Sequence, residues 1–301
     1  MIATLTTALL FLTSISGHVL GQNSLVDEYE LVEGWGELPE GMEWGMVSAV
    51  AVDGNGLVYV LRRREPPVII LDESGKFLTS WGAGLFTQPH GLRLDSKGFI
   101  WATSVSESFR GGKGHQVFKF SPEGQLLLTL GSPDVAGDGA NTFNGPSDVA
   151  VAPNGEFFVS DGYGNSRVVK FSETGQFLKA WGRKGTAAGQ FDLPHSIVMD
   201  SRGRILVGDR ENERVQVFDA EGNFVDQWTE LGFPYGLYIT EDNLLIVDAP
   251  RRGNKITIAS ARDGEVLGTV EGMGGHWIAA DRAGNLYLAT GDDGIKKLVK
   301  K

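Results

Sequence analysis

The chain of 301 residues contains no cysteine. That absence excludes disulfide bridges, thiolate metal sites and cysteine nucleophiles. Positive charge is scarce as well, since 27 Lys and Arg stand against 38 Asp and Glu. Binding to nucleic acid requires a basic surface, so the formal net charge of -11 argues against nucleic acid as a partner.

The first 24 residues, MIATLTTALLFLTSISGHVLGQNS, lack any Asp, Glu, Lys or Arg. Val19 and Gly21 precede Gln22 at the end of this apolar run, as in a cleaved export signal. We therefore expect a signal peptide at 1–21 and an exported domain at 22–301. That domain would be secreted or periplasmic, with no membrane contact after cleavage. The alternative is an uncleaved anchor, because about 20 residues can just span a bilayer.

Strong helical periodicity is absent, and a short strand-like pattern recurs instead. Its copies include GKFLTSWG (75–82), GQLLLTLG (124–131), GQFLKAWG (175–182) and GNFVDQWT (222–229). Each complete repeat has four strand-like runs, and the repeats begin near residues 46, 88, 145, 193, 233 and 274. A period of about 40 to 50 residues with four strands is typical of propeller blades. The sequence thus predicts an all-β, six-bladed β-propeller in one domain.

The sixth repeat has only three strand-like runs and ends with GIKKLVKK (294–301). The segment EYELVEGWG (28–36) resembles the outer strand that this repeat lacks. We predict that it completes the last blade, which closes the ring and removes an exposed sheet edge.

The repeats can be aligned on the turn after their first strand, without reference to histidine. The turn residues are Asp53, Asp95, Ala152, Asp200, Thr240 and Asp281. Five positions before the turn, the aligned column contains Ser48, His90, Ser147, His195, Tyr235 and His276. Because the first strand of a blade lines the central channel, the histidines of repeats two, four and six should approach one axis.

Three imidazoles around an axis, with a fourth position open, form the ligand set of a catalytic zinc ion. His90, His195 and His276 are therefore candidate zinc ligands. Other divalent metals also bind imidazole, so zinc is the favoured metal rather than the sole one. The alternatives are histidines that are hydrogen-bonded inside the channel, or a coincidence of alignment.

The second strand of each blade runs back toward the histidine end, so the residues that follow it should lie near the column. Arg63, Tyr163 and Arg210 occupy these positions. Arginine pairs suit a carboxylate, and a tyrosine near a dication and arginines can act as a base. The alternatives are ion pairs of the arginines with Glu65 or Glu211, and a rim position for the tyrosine.

An Asp-x(2–3)-Asn-x-Arg turn follows the second strand in repeats three and four. Asp161 and Asp209 begin the two copies, and Asp248 recurs at the same strand end in repeat five. Such side chains stabilise tight turns through backbone amides, so we interpret them as structural.

Several segments resemble a known family. SDGYGNSRVVKFSETGQFLKAWG (160–182), GQFDLPHSIVMD (189–200) and DRENERVQVF (209–218) resemble NHL-repeat propellers, and more specifically the peptidyl-α-hydroxyglycine α-amidating lyases and their bacterial relatives. The resemblance implies cleavage of a peptide ending in α-hydroxyglycine to a peptide amide and glyoxylate. It implies zinc on the three histidines, and a small-molecule or peptide substrate with a carboxylate. The implied catalytic residues are Tyr163, Arg63 and Arg210.

The chain departs from the family around His276. That residue stands in Gly-His-Trp, whereas the family pattern is Pro-His-Asp. The family's acid, replaced here by Trp277, helps to hold a structural calcium ion, which argues against calcium in this chain. Repeat two also has Gly-rich insertions at 106–114 and 132–145, predicted to be loops over one face.

Two other functions stay open. One is a non-catalytic exported NHL propeller that binds a protein or glycan on its channel face. The other is a lactonase-like hydrolase, although such enzymes use carboxylate-rich calcium sites and the column here contains histidine, serine and tyrosine. We expect a monomer in every case.

Overall fold

A computed structural model describes residues 24–106, 114–251 and 253–301. Within these ranges the backbone forms six four-stranded antiparallel sheets, which confirms the predicted six-bladed propeller. The predicted signal peptide and residues 107–113 of the first insertion lie outside the described residues. Among the described residues, no helix is both long and apolar enough to cross a bilayer.

The strands are named in chain order. The closing strand and the first blade contain β1 (Tyr29–Val32), β2 (Val47–Val52), β3 (Val58–Arg62), β4 (Val68–Leu71) and β5 (Phe77–Trp81). Blades two and three contain β6 (Gln88–Leu94), β7 (Ile100–Val105), β8 (Gln116–Phe120), β9 (Leu126–Leu130), β10 (Pro146–Val151), β11 (Phe157–Asp161), β12 (Arg167–Phe171) and β13 (Phe177–Trp181). Blades four and five contain β14 (Pro194–Met199), β15 (Ile205–Asp209), β16 (Arg214–Phe218), β17 (Phe224–Trp228), β18 (Gly236–Ile239), β19 (Leu244–Ala249), β20 (Lys255–Ser260) and β21 (Val266–Glu271). Blade six contains β22 (Trp277–Ala280), β23 (Leu286–Ala289) and β24 (Ile295–Lys300), and two 3-10 helices cover Val26–Glu28 and Arg210–Asn212.

The N-terminal strand closes the ring as predicted. Strand β1 pairs antiparallel with β24, with Tyr29 opposite Lys300 and Val32 opposite Lys297. The sheet order β1-β24-β23-β22 gives blade six its fourth strand. Both ends of the described chain therefore share one sheet, and its outer strand comes from the N-terminal side.

Outer-strand tryptophans join neighbouring blades. The Trp181 ring of blade three covers the turn at Gly222 of blade four, where an added Cβ would lie 2.6 Å from the ring. Gly222 has a φ of +75°, so the turn also favours glycine for its backbone conformation. The same contact recurs between Trp35 and Gly75, Trp81 and Gly124, and Trp228 and Gly264. The Trp and Gly of the repeated sequence pattern are thus two halves of one inter-blade contact.

The turn used for the sequence alignment has the same structure in each blade. The carboxylate of Asp95 accepts the backbone N–H groups of Lys97 and Phe99, at 2.9 and 3.0 Å. Asp53, Asp200 and Asp281 make the equivalent bonds in their own blades. These turns lie at the end of the channel opposite to the histidine column.

Candidate active site

The first strands bring three histidines together at one end of the channel. The imidazole centroid of His90 lies 4.8 Å from those of both His195 and His276, and the last two are 5.1 Å apart. The ligand atoms of all three lie within 4.8 Å of one another. The predicted column is therefore a side-chain cluster that could hold a metal ion.

A β-bulge turns the first of these histidines inward, and the second is presented in the same way. The register shifts between Pro89 and Leu92 around His90, and between Pro194 and Ser196 around His195. A bulge leaves one residue outside the ladder and redirects its side chain. His276 differs, because it lies just before β22 and its backbone N–H donates to the Ala289 oxygen at 2.6 Å.

The Nδ1 atom of each histidine is held by a backbone oxygen of the next blade. The acceptors are Ser147 for His90 at 2.8 Å, Tyr235 for His195 at 2.7 Å and Ser48 for His276 at 2.7 Å. A carbonyl oxygen can only accept, so each Nδ1 carries the hydrogen and each Nε2 keeps its lone pair. Metal-binding histidines usually show this arrangement, in which the ring nitrogen that does not bind the metal donates to a protein oxygen.

The three imidazoles are neutral near pH 7. Burial lowers the pKa of His90 and of His195 well below the usual histidine value, and positive neighbours, including Arg210, lower it further. Burial likewise lowers the pKa of His276 to about 4. Metal ions bind imidazole in its neutral form, so the cluster is ready for a metal without losing protons.

The Tyr163 hydroxyl lies beside this cluster. Its oxygen is 2.8 Å from Nε2 of His90 and 3.0 Å from Nε2 of His195. A single hydroxyl hydrogen cannot be donated to both nitrogens, and both carry lone pairs. Lone pairs that point at one buried position fit a cation there. Imidazole nitrogens are ligands that zinc commonly binds.

Tyr163 is positioned by the loop after β11. Its backbone N–H donates to the Gly145 oxygen at 3.1 Å, and a Cβ on Gly145 would lie 2.5 Å from the tyrosine Cβ. Burial raises the pKa of Tyr163, and the charges of Arg210 and Arg63 oppose this effect without overcoming it. Action of Tyr163 as a base therefore requires the charge of a metal in addition to the arginines.

Both predicted arginines lie near Tyr163. The Arg210 guanidinium carbon is 5.8 Å from the Tyr163 ring centre and 4.6 Å from that of Tyr235. Its Nε and Nη2 atoms donate to Glu211 at 2.9 and 2.7 Å, so the ion pair considered as an alternative exists. Arg63 instead donates from Nε to the Pro89 oxygen at 3.3 Å.

A third arginine lies at this end, in the segment VDAPRR (247–252), which the strand order places on the histidine face. Arg251 lies 3.8 Å from the Glu211 carboxylate, and its guanidinium carbon is 5.4 Å from the Tyr235 ring centre. Its side chain is 56% exposed, so it stands at the rim rather than inside the cluster. Like Arg210 after β15, Arg251 follows the second strand of its blade, although it lies two residues beyond the end of β19.

Trp277 lies on the channel axis next to the histidines. Its ring centroid is 6.0, 6.4 and 6.3 Å from those of His90, His195 and His276. Nearly equal distances to three points place the indole on their common axis. The ring is fully buried and separates the histidine cluster from the rest of the channel.

Deeper in the channel, a guanidinium occupies the space beyond the indole. The Arg93 guanidinium carbon lies 4.7 Å from the Trp277 ring centre. Arg93 binds both oxygens of Asp148, from Nε at 3.0 Å and from Nη2 at 2.6 Å. An indole and a paired guanidinium do not fit a calcium site, since calcium requires six to eight oxygen ligands. The geometry agrees with the argument against calcium drawn from Trp277.

The recurring turn aspartates of blades three and four are structural, as predicted. Asp161 accepts from Asn165 and Arg167 at 2.7 and 2.9 Å. Asp209 accepts from Asn212 and Arg214, both at 2.8 Å. The carboxylates also accept backbone N–H groups of the loops that enter their own blades.

The fold and the blade sequences define an NHL-repeat propeller: the NHL repeat family matches residues 143–171 and 191–218. The human NHL repeat-containing protein 3 is 35% identical over 248 residues, which cover 77% of this chain and 70% of that protein. The chain belongs to the family of NHL repeat-containing protein 3.

Similarity extends to lyases. Peptidyl-alpha-hydroxyglycine alpha-amidating lyase 1 of Drosophila melanogaster is 36% identical over 179 residues, covering 55% of this chain and 32% of that protein. Among solved structures, a streptogramin B lyase superposes with a TM-score of 0.66 over 93% of this chain and all of its own. Its sequence identity is 15%, so this likeness concerns the fold alone.

Proposed function

We propose that this protein is a zinc-dependent lyase that cleaves peptidyl-α-hydroxyglycine-like substrates to an amide and glyoxylate. The observation that carries the proposal is the convergence of three Nε2 atoms, each fixed by its Nδ1 bond, on a point beside the Tyr163 hydroxyl. Similarity to an amidating lyase over 55% of the chain supports the same reaction class.

The substrate would be held by its carboxylate. Arg63 and Arg210 lie on the Tyr163 side of the cluster, and a guanidinium can bind a carboxylate through two parallel hydrogen bonds. Arg210 is already paired with Glu211, which fixes the direction of its guanidinium. The arginines would thus place the carbinol carbon next to the Tyr163 oxygen.

A zinc ion on the three Nε2 atoms would supply positive charge that polarises the substrate hydroxyl and lowers the pKa of the nearby phenol. Tyr163, as the phenolate, would take the proton of that hydroxyl. The oxygen electron pair then forms the C=O bond of glyoxylate while the C–N bond breaks. The departing nitrogen takes the electron pair, receives the proton that Tyr163 removed and leaves as the amide, so the phenolate is restored and the atoms and charges balance without a redox partner.

The proposal includes the setting of the enzyme. We propose an exported monomer, secreted or periplasmic, whose partner is a small-molecule or peptide substrate with a carboxylate. The experiment is release of glyoxylate from an acyl-α-hydroxyglycine by the purified, zinc-loaded protein. We expect turnover by the wild type and none by His195→Ala. A zinc-loaded wild type that releases no glyoxylate from a series of acyl groups would overturn the proposal.

A second function is a non-catalytic exported propeller that binds a protein or glycan on its channel face. The similarity to NHL repeat-containing protein 3 favours this function. The name of that protein states no reaction, and the alignment covers 77% of this chain. Elemental analysis separates the two functions, because a chain without bound metal after native purification would support the binding protein.

A further inference from the structure

The third histidine lacks the support that the other two receive from the sequence. Pro89 and Pro194 precede His90 and His195, and the proline ring fixes φ at that position. His276 follows Gly274 and Gly275, and glycine is the most permissive backbone residue. Some other contact must therefore fix the chain that enters His276.

Asp248 makes that contact from the neighbouring blade. Its two carboxylate oxygens accept the Gly275 backbone N–H at 2.9 and 3.0 Å. Asp248 is fully buried at the end of β19 of blade five, whereas Gly275 enters blade six. The bond therefore fixes the Gly274–Gly275 peptide unit, one residue before His276, against the second strand of another blade.

The two glycines before His276 pass close to the Asp248 carboxylate. A Cβ on Gly275 would lie 2.5 Å from the Ala289 oxygen and 3.4 Å from Asp248 Oδ2. A Cβ on Gly274 would lie 2.8 Å from Asn254 Oδ1 and 3.3 Å from Asp248 Oδ1. A side chain at Gly275 would clash with the Ala289 oxygen and one at Gly274 with Asn254 Oδ1, whereas the Asp248 oxygens lie at close contact distance from both positions.

The aspartates at the corresponding strand ends of blades three and four make different contacts. Asp161 and Asp209 bind an asparagine and an arginine of their own turns. Within the described ranges, Asp248 is paired with no such cation, and its bonds go to Gly275 alone. A buried carboxyl without a cation stabilises the fold poorly, which points to a positioning task at the site.

We infer that Asp248 is the positioning residue for His276 and that its bond to Gly275 replaces the proline that precedes the other two histidines. This inference rests on the proposed metal site. Asp248 does not contact the metal or the substrate; it acts through the Gly274–Gly275 peptide unit, which leads into the third ligand.

The test compares two substitutions of similar size in the full chain. Asp248→Asn keeps a carbonyl oxygen that can accept from Gly275, and Asp248→Leu fills the space but cannot accept. The zinc dissociation constant is measured by competition with a chromophoric chelator. Removing a residue that holds a metal ligand in place typically weakens metal binding about 10- to 100-fold. We expect a loss of that size for Asp248→Leu. For Asp248→Asn we expect the zinc dissociation constant to change by no more than a few-fold.

A matched control separates positioning from stability. Asp281→Leu removes the turn carboxylate at the opposite end of the strand that follows His276, where Asp281 accepts the Ala283 and Asn285 N–H groups. We expect it to lower the unfolding temperature and to leave zinc affinity unchanged. In a His276→Ala background, Asp248→Leu should cause no additional loss of zinc affinity, because its route of action is gone.

The outcomes separate the two proposals. Wild-type zinc binding together with an unaltered Asp248→Leu affinity would overturn this inference alone. An equal loss of affinity in Asp281→Leu, or a further loss in the His276→Ala background, would also overturn it. A wild type that binds no zinc would overturn the proposed function and this inference together. Cobalt-loaded Asp248→Leu should in addition show an altered visible spectrum, which a purely structural role would not produce.

Discussion

The His276 imidazole donates from Nδ1 to the Ser48 backbone oxygen across 2.7 Å, although the two residues are 228 positions apart. The bond joins the last blade to the first at the histidine end of the channel. The orientation of the third histidine therefore depends on closure of the ring by β1 and β24. The histidine cluster is a property of the complete ring of blades rather than of any one repeat.

Tyr163→Phe should abolish turnover without abolishing metal binding. The phenyl ring keeps the packing beside the histidines, and only the oxygen between His90 and His195 is lost. Loss of a positioned general base costs about 10²- to 10⁴-fold in rate. Glyoxylate release and zinc content are measured on the same preparation. Full activity in this variant would show that Tyr163 does not take the proton.

Arg63→Lys and Arg210→Lys should weaken transition-state binding of a carboxylate substrate. A lysine keeps the charge but loses the planar pair of donors. A hydrogen bond to a charged group contributes about 1.5–3 kcal/mol, so kcat/KM should fall roughly 10- to 150-fold. A substrate with an amide in place of the carboxylate serves as the control, and its kcat/KM should differ little between variants. Arg204→Lys at the far end of the channel should have no effect on either substrate.

Arg93→Met should destabilise the fold by about 3–5 kcal/mol, because it leaves Asp148 as a buried charge without its partner. The midpoint of urea unfolding measures this loss. Adding Asp148→Asn to Arg93→Met should recover part of it. Calcium and a calcium chelator should leave the unfolding temperature of the wild type unchanged. A clear shift with calcium would contradict the interpretation of Trp277 and Arg93 as occupants of that part of the channel.

Asp248 should make the apo-protein less stable as pH rises. Burial without a cation raises the pKa of Asp248 well above its ordinary value. The folded chain then binds more protons than the unfolded chain between the two pKa values, so unfolding free energy falls with rising pH in that window. Asp248→Asn lacks this titration, and its stability relative to the wild type should grow by up to about 1.4 kcal/mol per pH unit there.

Urea unfolding of both proteins in EDTA from pH 4 to pH 8 measures the difference. Asp219→Asn is the control, because bonds from Asn223 lower the pKa of Asp219 below its ordinary value of 3.8. Its titration therefore lies below this pH range, and its stability difference from the wild type should stay constant from pH 4 to pH 8. A constant difference between Asp248→Asn and the wild type across this range would contradict the account of the buried carboxyl.

The sequence was sufficient for the blades, the closing strand and the histidine column. Each follows from a local template that recurs: Trp181 and Gly222 are parts of one repeated contact, and Asp95 and Asp200 mark one repeated turn. Residues at equal offsets in equal blades must meet at one end of the ring. That symmetry placed Arg63, Tyr163 and Arg210 near the histidines before any coordinates were known.

The rest of the site depends on contacts that the repeat does not encode. The acceptors of the Nδ1 hydrogens are backbone oxygens, which have no signature in the sequence. In the sequence Trp277 stands in place of an acid of the family, but its position on the axis depends on the histidines of two other blades. Asp248 was interpreted with Asp161 and Asp209 as a turn residue, and its bond to Gly275 appears only when two blades are adjacent.

The metal content of the natively purified chain tests the central claim most directly. We predict close to one zinc ion per wild-type chain by elemental analysis, and close to none in His276→Ala. Ser147→Ala is the matched column variant and should retain the metal, because its backbone oxygen still holds His90. A wild type without bound zinc, or a His276→Ala chain with the full amount, would contradict a site that three histidines complete.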